Sequence, residues 1–435
     1  MPSSPSWRTP SREVRRRRPH AAAFTMVAAI TATLVGASAV PTPPHAVYQE
    51  RWALSTSQST LTFGVYAVSL LLAPLTVGSL SDQIGRRPVI VAALPLEAVS
   101  MATFAGATGL ELLLVARVVQ GFATGAAISA LGSALVDFEA SPGHGARINS
   151  SAHPIGLALG ALFSSIVSEH FPRPTSTVFL VLLVVFVVEI AAALMIPETV
   201  PRRRDRPVSI RPRVTVPRPA LGAFLLTVPY VVAVWALAGF YLSLGPSLAR
   251  NALHVHTSLV GAAMVATLTG TGAVSIFVLS AVGPRTILLV GAGTLVAGVA
   301  TTLYGSEHSS ATAILTGTAI AGVGFGAGFQ SAIRAVMPLV QPHERAALLS
   351  SVYTVAYLAN CVPSLVAGRL IDRLGFIATT RMYAGLVASL ATTALVGLAF
   401  RRNRAEAPPM VGSHVSTADS PLRATHTRKS YNHRP

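Results

Sequence analysis

The sequence predicts an all-α membrane protein: twelve transmembrane helices arranged as two six-helix, pseudo-repeated bundles. Three observations predict it. The 435 residues are 51% hydrophobic and only 11% charged, against roughly 25% charged in soluble domains, and the mean hydropathy is +0.58. Apolar runs near the ~20 residues of helix needed to cross ~30 Å of hydrocarbon recur along the chain. The 33 Lys and Arg, against 16 Asp and Glu, gather in the two tails and one central segment.

A basic tail, residues 1–20, leads into the first run at 21–41. Its SREVRRRRPH followed by AAAFTMVAAITATLVGASA has the form of a secretory or twin-arginine signal, with Ala37 and Ala39 offering a cleavage site. The run is long enough to span and further spans follow, so it reads as an uncleaved first helix. Runs at 58–80, 88–107, 110–135, 148–168 and 176–196 complete a first bundle, 21–196. The stretch PETVPRRRDRPVSIRPRVTVPRP, residues 197–219, contains a basic linker, 197–218, whose Pro and Arg content suits exposed, extended chain. Runs at 219–244, 257–281, 286–304, 311–335, 347–368 and 378–400 form a second bundle, 219–400. The polar, basic tail 401–435 is too poor in apolar residues to pack and is predicted disordered.

Arg117 and Arg334 fall within spans, and Arg51, Arg173, Arg250, Arg369, Arg373 and Arg381 fall on one set of loops. The remaining Lys and Arg lie on the tails, the linker and the other loops. The positive-inside rule therefore places both termini in the cytoplasm of a plasma (inner) membrane protein, with Arg369–Arg381 the local violation. The basic partner is then the anionic inner leaflet rather than nucleic acid. A single cysteine, Cys361, excludes an internal disulfide and a Cys-based metal cluster. Neither GxxxxGK[ST] nor HExxH occurs, so neither ATP use, a metal nor enzymatic catalysis is expected.

A shift of 198 residues lays Gly85-Arg86-Arg87 over Gly283-Pro284-Arg285, and Arg147 over Arg345. Duplication of a six-helix unit explains both matches. Small residues within the spans, such as Gly121/Gly125, Gly156/Gly160 and Gly322 to Gly328, suit close helix packing in lipid.

Between the second and third spans lies GSLSDQIGRRPVI, residues 78–90. It resembles the loop signature of the major facilitator superfamily at Gly78, Leu80, Asp82, Gly85, Arg86, Arg87 and Ile90, departing at Gln83. The fourth span adds RVVQGFATG, similar to the family's second signature at Arg117, Gln120, Gly121 and Gly125. The resemblance covers about 380 residues. It implies a secondary transporter working by alternating access, without a cofactor and driven by the proton gradient.

The resemblance also implies roles for residues. The cluster Gly78, Asp82, Gly85, Arg86 and Arg87 is expected to latch the halves in the outward-facing state; a topogenic anchor alone would need no acid. Arg117, a mid-membrane charge costing on the order of 2.5–3.5 kcal/mol, is expected to couple substrate to protons. Related proton-coupled carriers place an acid in the first span, which has none here. Glu97 in the third span and Glu189 in the sixth are the deeply placed carboxylates left for that role, though the resemblance sets those spans at the periphery. His153, beside Pro154, reads as a polar residue opening the fifth span. The family's cavity is lined by spans one, four, seven and ten. That makes Gln120, Gly121, Tyr230, Trp235, Tyr241, Phe325 and Gln330 its expected wall, suited to an amphipathic small-molecule substrate. The expected function is proton-coupled efflux of a drug or metabolite by a monomer. The alternatives are symport of a sugar-like metabolite, or a non-transporting sensor on the same scaffold.

Overall fold

The computed structural model describes residues 11–78, 80–200, 214–254, 257–341 and 344–406. The outer parts of both predicted tails and residues 201–213 of the linker lie outside the described residues. The helices are α1 (Ser11–Ala39), α2 (His45–Trp52), α3 (Thr56–Val77), α4 (Leu80–Ile84), α5 (Arg86–Ala105), α6 (Leu110–Asp137) and α7 (His144–His170). They continue with α8 (Pro174–Ala193), α9 (Arg218–Leu253), α10 (Ser258–Val278), α11 (Pro284–Glu307), α12 (Ala311–Val336), α13 (Arg345–Leu374) and α14 (Phe376–Glu406). All but α2 and α4 carry a stretch long and apolar enough to cross a membrane, twelve among the described residues.

Each predicted run coincides with one spanning helix, and the differences lie at the ends. Helix α7 begins at His144, a turn before the predicted 148, because the Glu139 carboxylate caps it: it accepts the backbone N–H of Gly143 at 3.2 Å and of Gly145 at 2.8 Å. Helix α9 runs 36 residues, past its predicted end, with Pro229 and Pro246 inside it. Hydropathy does not register the short α2, whose eight residues are too few and too polar to stand out as an apolar run.

In lipid every backbone group must be satisfied within the chain, which is why the spans are helical throughout. Side chains such as Val184, Val188, Met195 and Val278 remain exposed and form the lipid-facing surface. Between helices, close approach replaces the hydrophobic effect as the source of cohesion. A Cβ on Gly160 would overlap the carbonyl of Gly36, so α1 and α7 cross backbone to backbone. The predicted Gly156/Gly160 pair is this crossing.

The first half packs α1 on α7, α3 and α5 on α6, and α5 on α8; the second packs α10 and α11 on α12, with α9 against α13 and α14. The halves meet along two seams, α3 with α13 and α7 with α10. The start of α1, the end of α14, the α3–α5 and α6–α7 turns, the end of α8 and the start of α9 lie on one face, the terminal face. Helix α2 and the α7–α8, α9–α10 and α13–α14 connections lie on the opposite face.

Candidate functional site

On the terminal face, Gly85 ends α4 and opens α5 with φ +109°, a left-handed value that a side chain would resist. The Glu198 carboxylate fills the space beside it and accepts the backbone N–H groups of Arg86 at 2.9 Å and Arg87 at 3.0 Å. These are orphan donors at the start of α5, and an anion there is favoured by the helix dipole. The Arg86 side chain reaches Ser81 at 3.0 Å and Asp137 at 3.5 Å, and Arg87 bonds the Leu194 carbonyl. These contacts bind the loop to α6 and to the end of α8, inside the first half. Asp82 sits on α4, and its side chain lies outside the described residues. Gly78 caps α3, its N–H bonding the Pro74 carbonyl at 3.1 Å.

Deep in the first half is a cluster of buried charge. Arg117 on α6 is 1% exposed. Its Nη1 donates to the Ser38 carbonyl at 3.1 Å and to Gln120 Oε1 at 2.9 Å, while Gln120 Nε2 donates to the Ala37 carbonyl at 3.0 Å. The guanidinium also lies over the rings of Tyr66, 5.1 Å from the centroid, and Phe104, 5.7 Å. Glu97 on α5 is fully buried and turns inward: its Oε1 accepts from the Thr124 hydroxyl of α6, and its Oε2 has no hydrogen-bond partner. Arg117 and Glu97 interact electrostatically, without a direct ion pair. Glu189 on α8 interacts with Glu97 in turn and reaches Thr33 of α1. Two of the guanidinium nitrogens and one oxygen of each carboxylate lack partners, which marks this network as costly to bury and incompletely satisfied.

Between the halves lies an aromatic cluster. Trp235 of α9 meets Tyr357 of α13 edge-on at 5.4 Å between centroids, and Tyr353 stacks with Tyr357 at 6.0 Å. From the first half, His153 of α7 approaches Trp235 at 6.2 Å, and Tyr66 of α3 is near enough to Tyr357 to interact electrostatically. His153 therefore sits well inside its helix facing the other half, not at the helix opening, because α7 starts earlier than its hydropathy indicates. A small crevice of about 10 Å³, lined by Thr227, Val231, Ala332 and Val352 among others, lies one helical turn along α9 from Trp235.

Of the expected wall residues, Trp235 stands at this seam and most of the others pack within a half. Gln120 is held against α1, and a Cβ on Gly121 would press on the Tyr66 backbone. Tyr230 donates to the Gly324 carbonyl at 2.7 Å, and the Tyr241 hydroxyl meets Thr318 at 2.9 Å. Phe325 lies over Gly272 of α10, and Gln330 Nε2 reaches the Ile276 carbonyl at 3.5 Å. Tyr66, Tyr353 and Tyr357 belong to the seam without being among the residues expected from sequence. The four-residue spacing of Tyr353 and Tyr357 puts both on one helix face, and is the signal that could have found them.

Comparison with known proteins gives concordant results. The family model described as Major Facilitator Superfamily matches residues 22–362. The Inner membrane transport protein YnfM of Escherichia coli (strain K12) is 27% identical over 241 residues, covering 52% of this chain and 55% of that protein. The chain thus matches about half the length of this curated relative. Among solved structures, a mutant form of the nucleoside transporter NupG superposes with a TM-score of 0.69 at 12% identity, over 87% of this chain and 99% of that one. A bacterial homologue of the human lysosomal transporter Spinster, inward-facing and unoccupied, gives 0.64 at 15% identity, covering 88% and 96%. The human organic anion transporter MFSD10 gives 0.61 at 17%, covering 86% and 99%. At these identities the structural likeness is one of fold.

Proposed function

The chain belongs to the Major Facilitator Superfamily and is a multi-pass secondary transporter; from that premise we propose that it exports a small, amphipathic organic solute in exchange for protons. The observation that carries this reading is the adjacency of Arg117 to Tyr66, which brings the buried charge cluster to the edge of the aromatic seam. Solute binds between the halves, against Trp235, Tyr353, Tyr357 and His153, where aromatic faces supply apolar area and few polar groups set orientation. Glu97, with Glu189 behind it, takes and releases the proton. Its charge state alters the field at Arg117, and Arg117 transmits that change to the Tyr66 side of the seam.

Both termini are cytoplasmic in this reading, as the positive-inside rule requires, and the membrane is the inner membrane, as in the E. coli relative. The cross-half hydrogen bonds cluster on the face opposite the termini, which corresponds to a conformation sealed to the outside.

The test is transport by purified protein in proteoliposomes, across a panel of amphipathic cations, neutral aromatics and organic anions, under an imposed pH gradient. Flux of panel members driven against their own gradient by counter-moving protons is expected. Accumulation with inwardly co-moving protons would replace antiport by symport, and absence of flux across the panel would remove the transported-solute assignment.

A further inference from the structure

The seams are closed at the face opposite the termini by two carboxylates, each capping a helix of the other half. Asp372, near the end of α13, accepts the backbone N–H of Thr56 at 3.2 Å and of Ser57 at 3.1 Å, together with the Ser57 hydroxyl. These are the first two donors of α3. The third, from Gln58, goes to the Ser55 hydroxyl at 3.2 Å. Glu169, near the end of α7, accepts the backbone N–H of Ser258 at 2.8 Å, its hydroxyl at 3.0 Å and the Thr257 hydroxyl at 2.7 Å. Ser258 is the first residue of α10, and the next donor, Leu259, goes to Thr257 Oγ1 at 3.2 Å.

The two arrangements are counterparts in the internal duplication. Helices α7 and α13 are each the fifth span of their half, and α3 and α10 each the second. The carboxylates lie about 200 residues apart, as do the helix starts they cap. In each case a hydroxyl of the helix's own half satisfies one orphan donor and the opposite half supplies an anion, which accepts two backbone N–H groups of α3 and one of α10. A charged acceptor on a helix N-terminus is stronger than a neutral one and is favoured by the dipole. When the halves separate on this face, each helix loses its anion and uncovers the donors that anion accepted.

We infer that Asp372 and Glu169 form a paired outer latch, reciprocal between the halves, that sets how readily the transporter opens on the face opposite its termini. They act as gating residues and touch no solute. The inference uses alternating access from the proposed function but none of its solute or proton chemistry.

The protein carries its own reporter. Cys361, the sole cysteine, is buried in the α3–α13 seam with its Sγ 3.5 Å from the Gly64 carbonyl. Around it, Leu365 packs on Gly64 and Thr60 on Gly368, so alkylation requires the seam to part. The experiment measures N-ethylmaleimide labelling of Cys361 in membranes for the full-length protein and for Asp372→Ala, Glu169→Ala and the double variant, with no solute added. Each single variant is expected to label roughly tenfold faster than the parent, and the double faster than either. Asp372→Glu, which keeps the carboxylate, is expected to label within about threefold of the parent.

Unfolding is separated from gate opening by a second probe. In a Cys361→Ser background, Ala127→Cys places a thiol in the interior of the first half, where Ala127 is fully buried. It should stay unreactive in the latch variants. Parental labelling rates in both alanine variants would overturn the latch. So would equal acceleration of the interior probe, which would assign Asp372 and Glu169 to folding. Because labelling needs no substrate, a failed transport assay leaves this result unaffected.

Discussion

The Arg117 guanidinium lies against the Tyr66 ring, 5.1 Å from its centroid, and Tyr66 in turn borders Tyr357 of the other half. Charge buried within one bundle is therefore a single side chain away from the surface at which the bundles meet. The following expectations rest on that arrangement or on the packing that holds it.

Replacing Arg117 with Ala removes the hydrogen bonds to Ser38 and Gln120 and the cation above Tyr66. Proton-driven accumulation in proteoliposomes should fall at least ~10-fold, about 1.4 kcal/mol in coupling terms. Accumulation at the parental ratio would reduce Arg117 to a structural staple.

Glu97→Gln keeps the shape of the side chain and an oxygen for Thr124 to donate to, while removing the exchangeable proton. Solute-for-solute exchange at equal pH should stay within about twofold of the parent, and uphill transport should be lost. Retained uphill transport in Glu97→Gln, with loss in Glu189→Gln, would move the proton to α8.

Asp82→Asn removes the negative charge at Asp82, while the cap on α5 is supplied by Glu198. It should slow the turnover rate several-fold at nearly unchanged membrane abundance, read by initial flux per quantified transporter. Parental turnover at parental abundance would leave the loop as an orientation signal only.

Gly160→Ile forces a branched side chain into the α1–α7 crossing, where even a Cβ overlaps the Gly36 carbonyl. The cost is on the order of 1–3 kcal/mol, visible as a lower Tm in detergent. Gly293→Ala, at an exposed helical position with open space around it, should leave the Tm unchanged or slightly raised.

Trp235→Ala opens the centre of the aromatic cluster. Apparent affinity for a transported solute should fall roughly tenfold, with Tyr230→Phe nearly silent, because the Tyr230 hydroxyl is spent on the Gly324 carbonyl within its own half. Calorimetric binding or competition flux distinguishes the two.

The twelve spans were legible because hydropathy and length alone decide membrane crossing, and the duplication showed through Gly85 and Gly283. The rotational setting of each helix was not legible. A span such as α8 is apolar nearly all round, so periodicity does not say which face turns inward. For that reason Tyr230 and Tyr241 read as wall residues, although their hydroxyls are satisfied within the second half. Glu97 reads as peripheral because the resemblance sets the third span at the edge of the bundle, while in the fold it turns inward to Thr124 and feels Arg117. The partners of the terminal-face loop, Glu198 and Asp137, lie far from it in sequence, and only the fold assembles them.

One phenol ring, that of Tyr66, stands as a shared partition, with the Arg117 cation on one side and the seam between the halves on the other. If solute docks at that seam as proposed, the protein would have unequal freedom to change its diet. Alterations at Trp235, Tyr353 or Tyr357 would reshape the berth and leave the engine alone, whereas one at Tyr66 would touch both and exchange an uphill pump for a passive leak.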